Sequence, residues 1–147
     1  MSGLVHATIT GEAPSEPRIA APVRWLYDPA DPYAVSVDLT ELTRVGNQAH
    51  GIAGDDDPRV WTFGRYLLAE GLHDGPSGEG DVRVSQIGPW LLIRLAVDDE
   101  SCTVRFSSSA VDRFVRQTRR EVRLGGESKR MAAAIDDACA RLLGGVS

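Results

Sequence analysis

Arginine has the most suggestive spacing of any residue type in this chain. Arg113, Arg116, Arg120 and Arg123 recur at steps of three and four, the period of one helix face. Arg119, Lys129 and Arg130 add to them, and over residues 111–130 only Asp112, Glu121 and Glu127 oppose. The whole chain carries a formal charge of −5, so this segment is positive on an acidic protein. Such a strip is either a solvated helix face or a docking surface for an acidic protein segment or a nucleic-acid backbone. Single-strand binding wants aromatic rings among the basic groups. Phe114 is the one aromatic here, and it falls on the apolar stripe, so a protein partner ranks above nucleic acid.

The other reactive residue types lack the spacing that chemistry needs. His6, His50 and His73 lie far apart, and no His-x-x-x-His or Cys-x-x-Cys pair occurs. Cys102 and Cys139 share no metal-ligand spacing; free, buried thiols in a cytoplasmic protein are expected. Asp55, Asp56 and Asp57 are consecutive, so their carboxylates diverge, which suits a solvated loop tip better than a cation site. Ser107, Ser108 and Ser109 lack a Gly-x-Ser-x-Gly elbow and read as helix capping, with Ser109 and Asp112 resembling a capping box. The glycines from Gly75 to Gly80 precede a strand and lack Gly-Lys-Ser/Thr, so they do not make a phosphate loop. Asp28, Asp31 and Asp81 sit in turns. The residues point away from an enzyme and imply no metal or cofactor.

At 147 residues, with 42% apolar and 25% charged residues, the chain suits a single domain with one core. No stretch reaches the roughly 20 apolar residues of a membrane span, and the N-terminus has no signal-peptide pattern. Alternating apolar residues predict a strand over Leu4–Thr10 and a hairpin of Ile19–Tyr27 with Tyr33–Leu39, joined by the Asp-Pro turn. Residues 43–58 read as a flexible loop. A short strand over Arg59–Phe63 leads into a helix over Gly64–Glu70. Gly71 is its expected left-handed cap, with Leu72 packing back. A meander follows over Asp81–Ser85, Trp90–Val97 and Cys102–Phe106, with Leu91–Val97 apolar enough to be covered on both faces. A long helix carries Val111, Phe114, Val115, Thr118 and Val122 inward. Ser128 is the expected cap of a last helix with the stripe Met131, Ile135, Ala138 and Leu142.

Trp61-Thr-Phe63 and Val104-Arg-Phe106 each lead from strand to helix. Aligning the two phenylalanines brings Leu67 and Leu68 onto Ala110 and Val111. This suggests two strands-then-helix units, with Trp61–Val84 as the hinge between them; two unrelated meanders would read alike.

Three stretches together, Tyr27-Asp28-Pro-Ala-Asp31-Pro32-Tyr33-Ala-Val35, Phe63-Gly-Arg65-Tyr-Leu67-Leu68-Ala-Glu70-Gly71-Leu72 and Gly78-Glu-Gly80-Asp81-Val-Arg83-Val84, resemble the SsgA-like family of actinomycete sporulation and cell-division regulators. Their order and spacing both match, over roughly residues 20–120. The resemblance implies a non-enzymatic, cytoplasmic protein that helps place the sporulation septum, the SsgB-like type recruiting and positioning FtsZ. It implies an α+β fold of bent antiparallel sheet and packed helices, two pseudo-symmetric halves (about 1–75 and 76–147) and a homotrimer. That fold is similar to the whirly single-stranded nucleic-acid binders, which leaves single-strand binding as the alternative function.

Overall fold

A computed structural model describes residues 3–14, 17–49, 51, 59–73, 76–78, 80–97, 100–129, 131–132 and 135. Seven strands are β1 (Val5–Ala13), β2 (Ile19–Tyr27), β3 (Ala34–Asp38), β4 (Val60–Gly64), β5 (Val82–Ile87), β6 (Trp90–Val97) and β7 (Glu100–Ser107). The helices described over their whole length are α1 (Thr40–Ala49), α2 (Arg65–His73) and α3 (Ser108–Glu121), and helical residues recur from Glu127 on. The strands form one antiparallel sheet in the order β4-β3-β2-β1-β7-β6-β5. The sheet is curled enough for the nine-residue helix α2 to touch both of its edge strands, β4 and β5. The fold is α+β, and strands lead into a helix three times along the chain, at α1, α2 and α3.

Alternation sets which face is buried. Ile19, Ala21, Val23, Trp25 and Tyr27 of β2 point inward, while Ala20, Pro22 and Arg24 are exposed. The same pattern continues through Val35, Val37, Val84, Leu91, Ile93, Leu95, Val104 and Phe106. Phe106 and Phe114 meet the Trp25 ring edge-on, at centroid distances of 5.1 and 5.6 Å, which ties α3 to the sheet. Gly11 has to lack a side chain: a Cβ there would come within 2.9 Å of Phe106. The expected hairpin is present. Asp28 accepts the Ala30 N–H at 2.9 Å, and the buried Tyr27 hydroxyl donates to the Pro32 carbonyl at 2.9 Å, bracing the turn from within.

Several expectations are corrected. The flexible loop 43–58 is helical over its first part, since α1 runs from Thr40 to Ala49. Thr40, Thr43, Gly46 and Asn47 are poor helix formers, so local propensity argued for a loop. Asp38 accepts from the Thr40 N–H at 3.0 Å and from its hydroxyl at 2.5 Å, starting the helix. The Thr40 hydroxyl bond, offset in part by burial, also lowers the Asp38 carboxyl. Leu42 is buried, and Gly46 lets α1 approach Ile19. Asp55, Asp56 and Asp57 lie outside the described residues, as does His50. Among the described residues β6 is not covered on both faces: Arg94 is exposed, and α1, α2 and α3 pack on the other side of the sheet. Cys102 is an exposed thiol rather than a buried one, and Cys139 lies outside the described residues.

Gly71 is not a left-handed cap. It sits inside α2, where a Cβ would come within 2.4 Å of a Val84 methyl. Its role is close approach of helix to strand. Ser128 does not cap the last helix either, because residues 127–129 are already helical. Its hydroxyl pairs with that of Tyr33 at 2.6 Å. Ile135, expected on an inward stripe, is 55% exposed, while Ala138 and Leu142 fall outside the described residues.

Candidate docking surface

α3 begins at Ser107, whose hydroxyl oxygen accepts the Ala110 N–H at 3.3 Å. The expected Ser109–Asp112 capping box does not form. Asp112 instead bonds Arg116 at 2.9 Å, one turn on, and lies 3.8 Å from His73 of α2. Val111, Phe114, Val115, Thr118 and Val122 are buried, as their spacing requires. The opposite face presents Arg113, Arg116, Arg119 and Arg120, all exposed; Arg123, expected on the same helix face, lies past the extended C-cap Val122, and with Lys129 it extends the exposed series beyond the helix. Among the described residues only Arg116 of this group has a carboxylate partner. The strip is therefore positive, extended and largely unneutralised.

The motif residues do different work. Tyr27, Leu67 and Leu68 are core; Asp28, Asp31 and Pro32 build the turn; Glu70 accepts the Ser77 hydroxyl proton at 2.7 Å. Gly80 adopts φ of 100°, open to glycine, and the Asp81 carbonyl accepts the Ala96 N–H at 2.9 Å. Tyr33 and Arg83 are exposed. The structure does not bring Arg83 to the α3 strip: α3 packs on the inner side of the sheet, and Arg83 stands on the outer side.

Sequence reasoning missed the residue that holds the strip in place. Arg65 is completely buried. One of its terminal nitrogens donates to the Val122 carbonyl at 2.6 Å and to the Thr118 carbonyl at 3.3 Å. The other donates to the Arg123 carbonyl at 3.3 Å and to Glu127 at 2.5 Å. The guanidinium also lies 4.9 Å from the Tyr27 ring centre. Arg65 thus satisfies carbonyls at the end of α3 and places a cation where the helix dipole is negative. Glu127 spends its second oxygen on the Gly125 N–H at 2.8 Å. Burial pushes the Glu127 carboxyl up, but the Arg65 hydrogen bond and charge and the backbone N–H groups of Glu127 and Gly125 outweigh it and hold it below the ordinary carboxylate value. One signal was available: a cation in the first turn of α2 opposes that helix's own dipole. Arg65 is there to serve α3.

No group of three potential metal ligands occurs among the described residues, and none of their helices is long and apolar enough to cross a membrane. The family described as "Streptomyces sporulation and cell division protein, SsgA" matches residues 21–127. The sporulation-specific cell division protein SsgB of Salinispora tropica is 37% identical over 132 residues, covering 86% of this chain and 83% of the relative. Its namesake in Streptomyces coelicolor is 32% identical over 119 residues, covering 78% and 77%. A solved structure from work on SsgB mutations that correlate to longitudinal cell division in Streptomyces coelicolor superposes with a TM-score of 0.70 at 30% identity, covering 88% of this chain and 97% of the other. An SsgA-like sporulation-specific cell division protein from Thermobifida fusca gives 0.71 at 25% identity, covering 95% and 96%.

Proposed function

Because this chain belongs to the SsgA family of sporulation and cell division proteins, we propose that it is a non-enzymatic adaptor that acts at the division septum by recruiting or positioning FtsZ. The observation that carries this reading is the exposed strip Arg113, Arg116, Arg120 and Arg123, the first three on α3 and the last just past its C-cap, set on a protein of net charge −5. A fixed row of guanidiniums steers an acidic partner and selects its orientation. The strip has no exposed ring among its arginines, since Phe114 is buried against Trp25. That favours an acidic protein segment over a single strand of nucleic acid.

Charge reversal at two positions tests the placement. An Arg116→Glu, Arg120→Glu variant binds purified FtsZ about tenfold or more weakly at low salt, and the salt dependence flattens. Circular dichroism and Tm matched to the parent exclude misfolding. Unchanged binding by a folded variant removes the strip from the interface.

We further propose a homotrimer as the working assembly. Sedimentation equilibrium at micromolar concentration then returns three times the chain mass of 15.9 kDa; a single 15.9 kDa species refutes it.

A further inference from the structure

Among the described residues, no helix packs on the outer face of the sheet, and four arginines stand on it: Arg24, Arg83, Arg94 and Arg105. Two are neutralised. Arg24 lies 3.6 Å from Asp38, and Arg105 bonds Glu12 at 2.6 Å while lying over the Trp90 ring at 4.1 Å. The other two face each other. Arg83 of β5 and Arg94 of β6 are directly opposite in the strand register, and both are exposed. Arg94 touches only the Ser101 hydroxyl, at 3.4 Å, and neither guanidinium has a carboxylate partner among the described residues.

Like charges opposite each other on adjacent strands destabilise a sheet. Such a pair is tolerable when a shared anion sits between the two forks. The geometry offers a place for one: Gly80, Asp81, Arg83, Arg94 and Ala96 line a cleft of about 140 Å³. Gly80 leaves it unobstructed, with nothing within 4 Å of where a side chain would start. Asp81 stands at the rim without pairing to either arginine, so the described lining carries a formal charge of about +1. A phosphate group matches this in size and charge and offers enough acceptor oxygens for two guanidiniums.

We propose that Arg83 and Arg94 form a phosphate-binding site on the outer face of the sheet, on the opposite side from the α3 strip. The protein would then hold a phosphate-bearing ligand on one side of the sheet and its protein partner on the other. The shared ligand chemistry is a phosphate monoester or diester, supplied either by a soluble molecule or by a phospholipid headgroup.

Thermal unfolding in inorganic phosphate against chloride at equal ionic strength tests the site. At phosphate about tenfold above its Kd, the parent gains about 4 °C in Tm. Arg83→Gln and Arg94→Gln each lose that gain. In chloride alone the same variants melt at or above the parent temperature, because the repulsion is relieved; a merely structural role for the pair predicts the reverse. Equal responses to phosphate and chloride in the parent, or an undiminished phosphate response in both variants, overturns the proposal. Co-sedimentation with phosphatidylglycerol vesicles against phosphatidylcholine vesicles assigns the source. Retention on the anionic vesicles that Arg83→Gln abolishes identifies a headgroup, whereas a phosphate response without retention identifies a soluble ligand. Both variants keep FtsZ binding, so this test stands apart from the α3 assignment.

Discussion

Replacing Arg65 with methionine costs about 3–5 kcal/mol of folding stability, seen as a fall in Tm of roughly 10 °C. The substitution keeps the volume and removes the charge. It leaves Glu127 buried without its cation and takes the donor from the Val122, Thr118 and Arg123 carbonyls. Arg65→Lys falls in between, since one ammonium cannot span three carbonyls and a carboxylate as a planar fork does. Urea unfolding of Arg65→Met, Glu127→Leu and the double variant separates the pair from the cap. The double variant is less destabilised than the sum of the singles by about 1–3 kcal/mol. Strict additivity would mean that the two side chains stabilise the fold independently.

The same pair gives the protein an acid-sensitive component. The folded-state value of Glu127 is depressed below the ordinary 4.5. Its contribution is therefore full above about pH 4.5 and is lost as pH falls through the depressed value. Stability of the parent drops across that window, and Glu127→Gln lacks this part of the drop.

Gly71→Ala is expected to destabilise by about 1–2 kcal/mol, against the ordinary rule that alanine gains about 1 kcal/mol over glycine in a helix. The new Cβ would stand 2.4 Å from one Val84 methyl, 2.9 Å from its Cβ and 3.1 Å from its carbonyl oxygen. Val84 cannot retreat, because its N–H and carbonyl are both bonded to Ser77, at 2.9 and 2.8 Å. Adding Val84→Ala removes the worst contact, so the double variant is more stable than the two single losses predict. A Gly71→Ala protein that unfolds at or above the parent's denaturant midpoint would show that α2 can lift off β5 at no cost.

These two residues mark how far the sequence could be read. Arg65 and Gly71 both lie in a stretch singled out by its family resemblance, yet their roles were not visible there. Gly71 looks like a helix stop, because a glycine followed by leucine is what a cap looks like locally. Only the approach of β5 shows that the helix runs past it to His73. Arg65 finds its partners 53 to 62 residues along the chain, and no local pattern encodes such a pairing. α1 was missed for a related reason: its residues are weak helix formers, and it is held by Asp38 at its start and by the β2 surface beneath it.

The sequence by itself determined what depends on periodicity. Alternation in β1, β2 and β3 assigned their buried faces, a 3.6-residue stripe assigned the inner side of α3, and the same stripe turned Arg113, Arg116 and Arg120 outward. Tertiary structure decided what depends on which distant backbones meet. It set the strand order that makes β4 and β5 the edges, the register that sets Arg83 against Arg94, and the docking of α2 that buries Arg65 under the end of α3. The physical reason is range. Side-chain direction follows from the residue's own backbone, whereas an ion pair or a glycine contact is set by whatever the rest of the chain brings within a few ångströms.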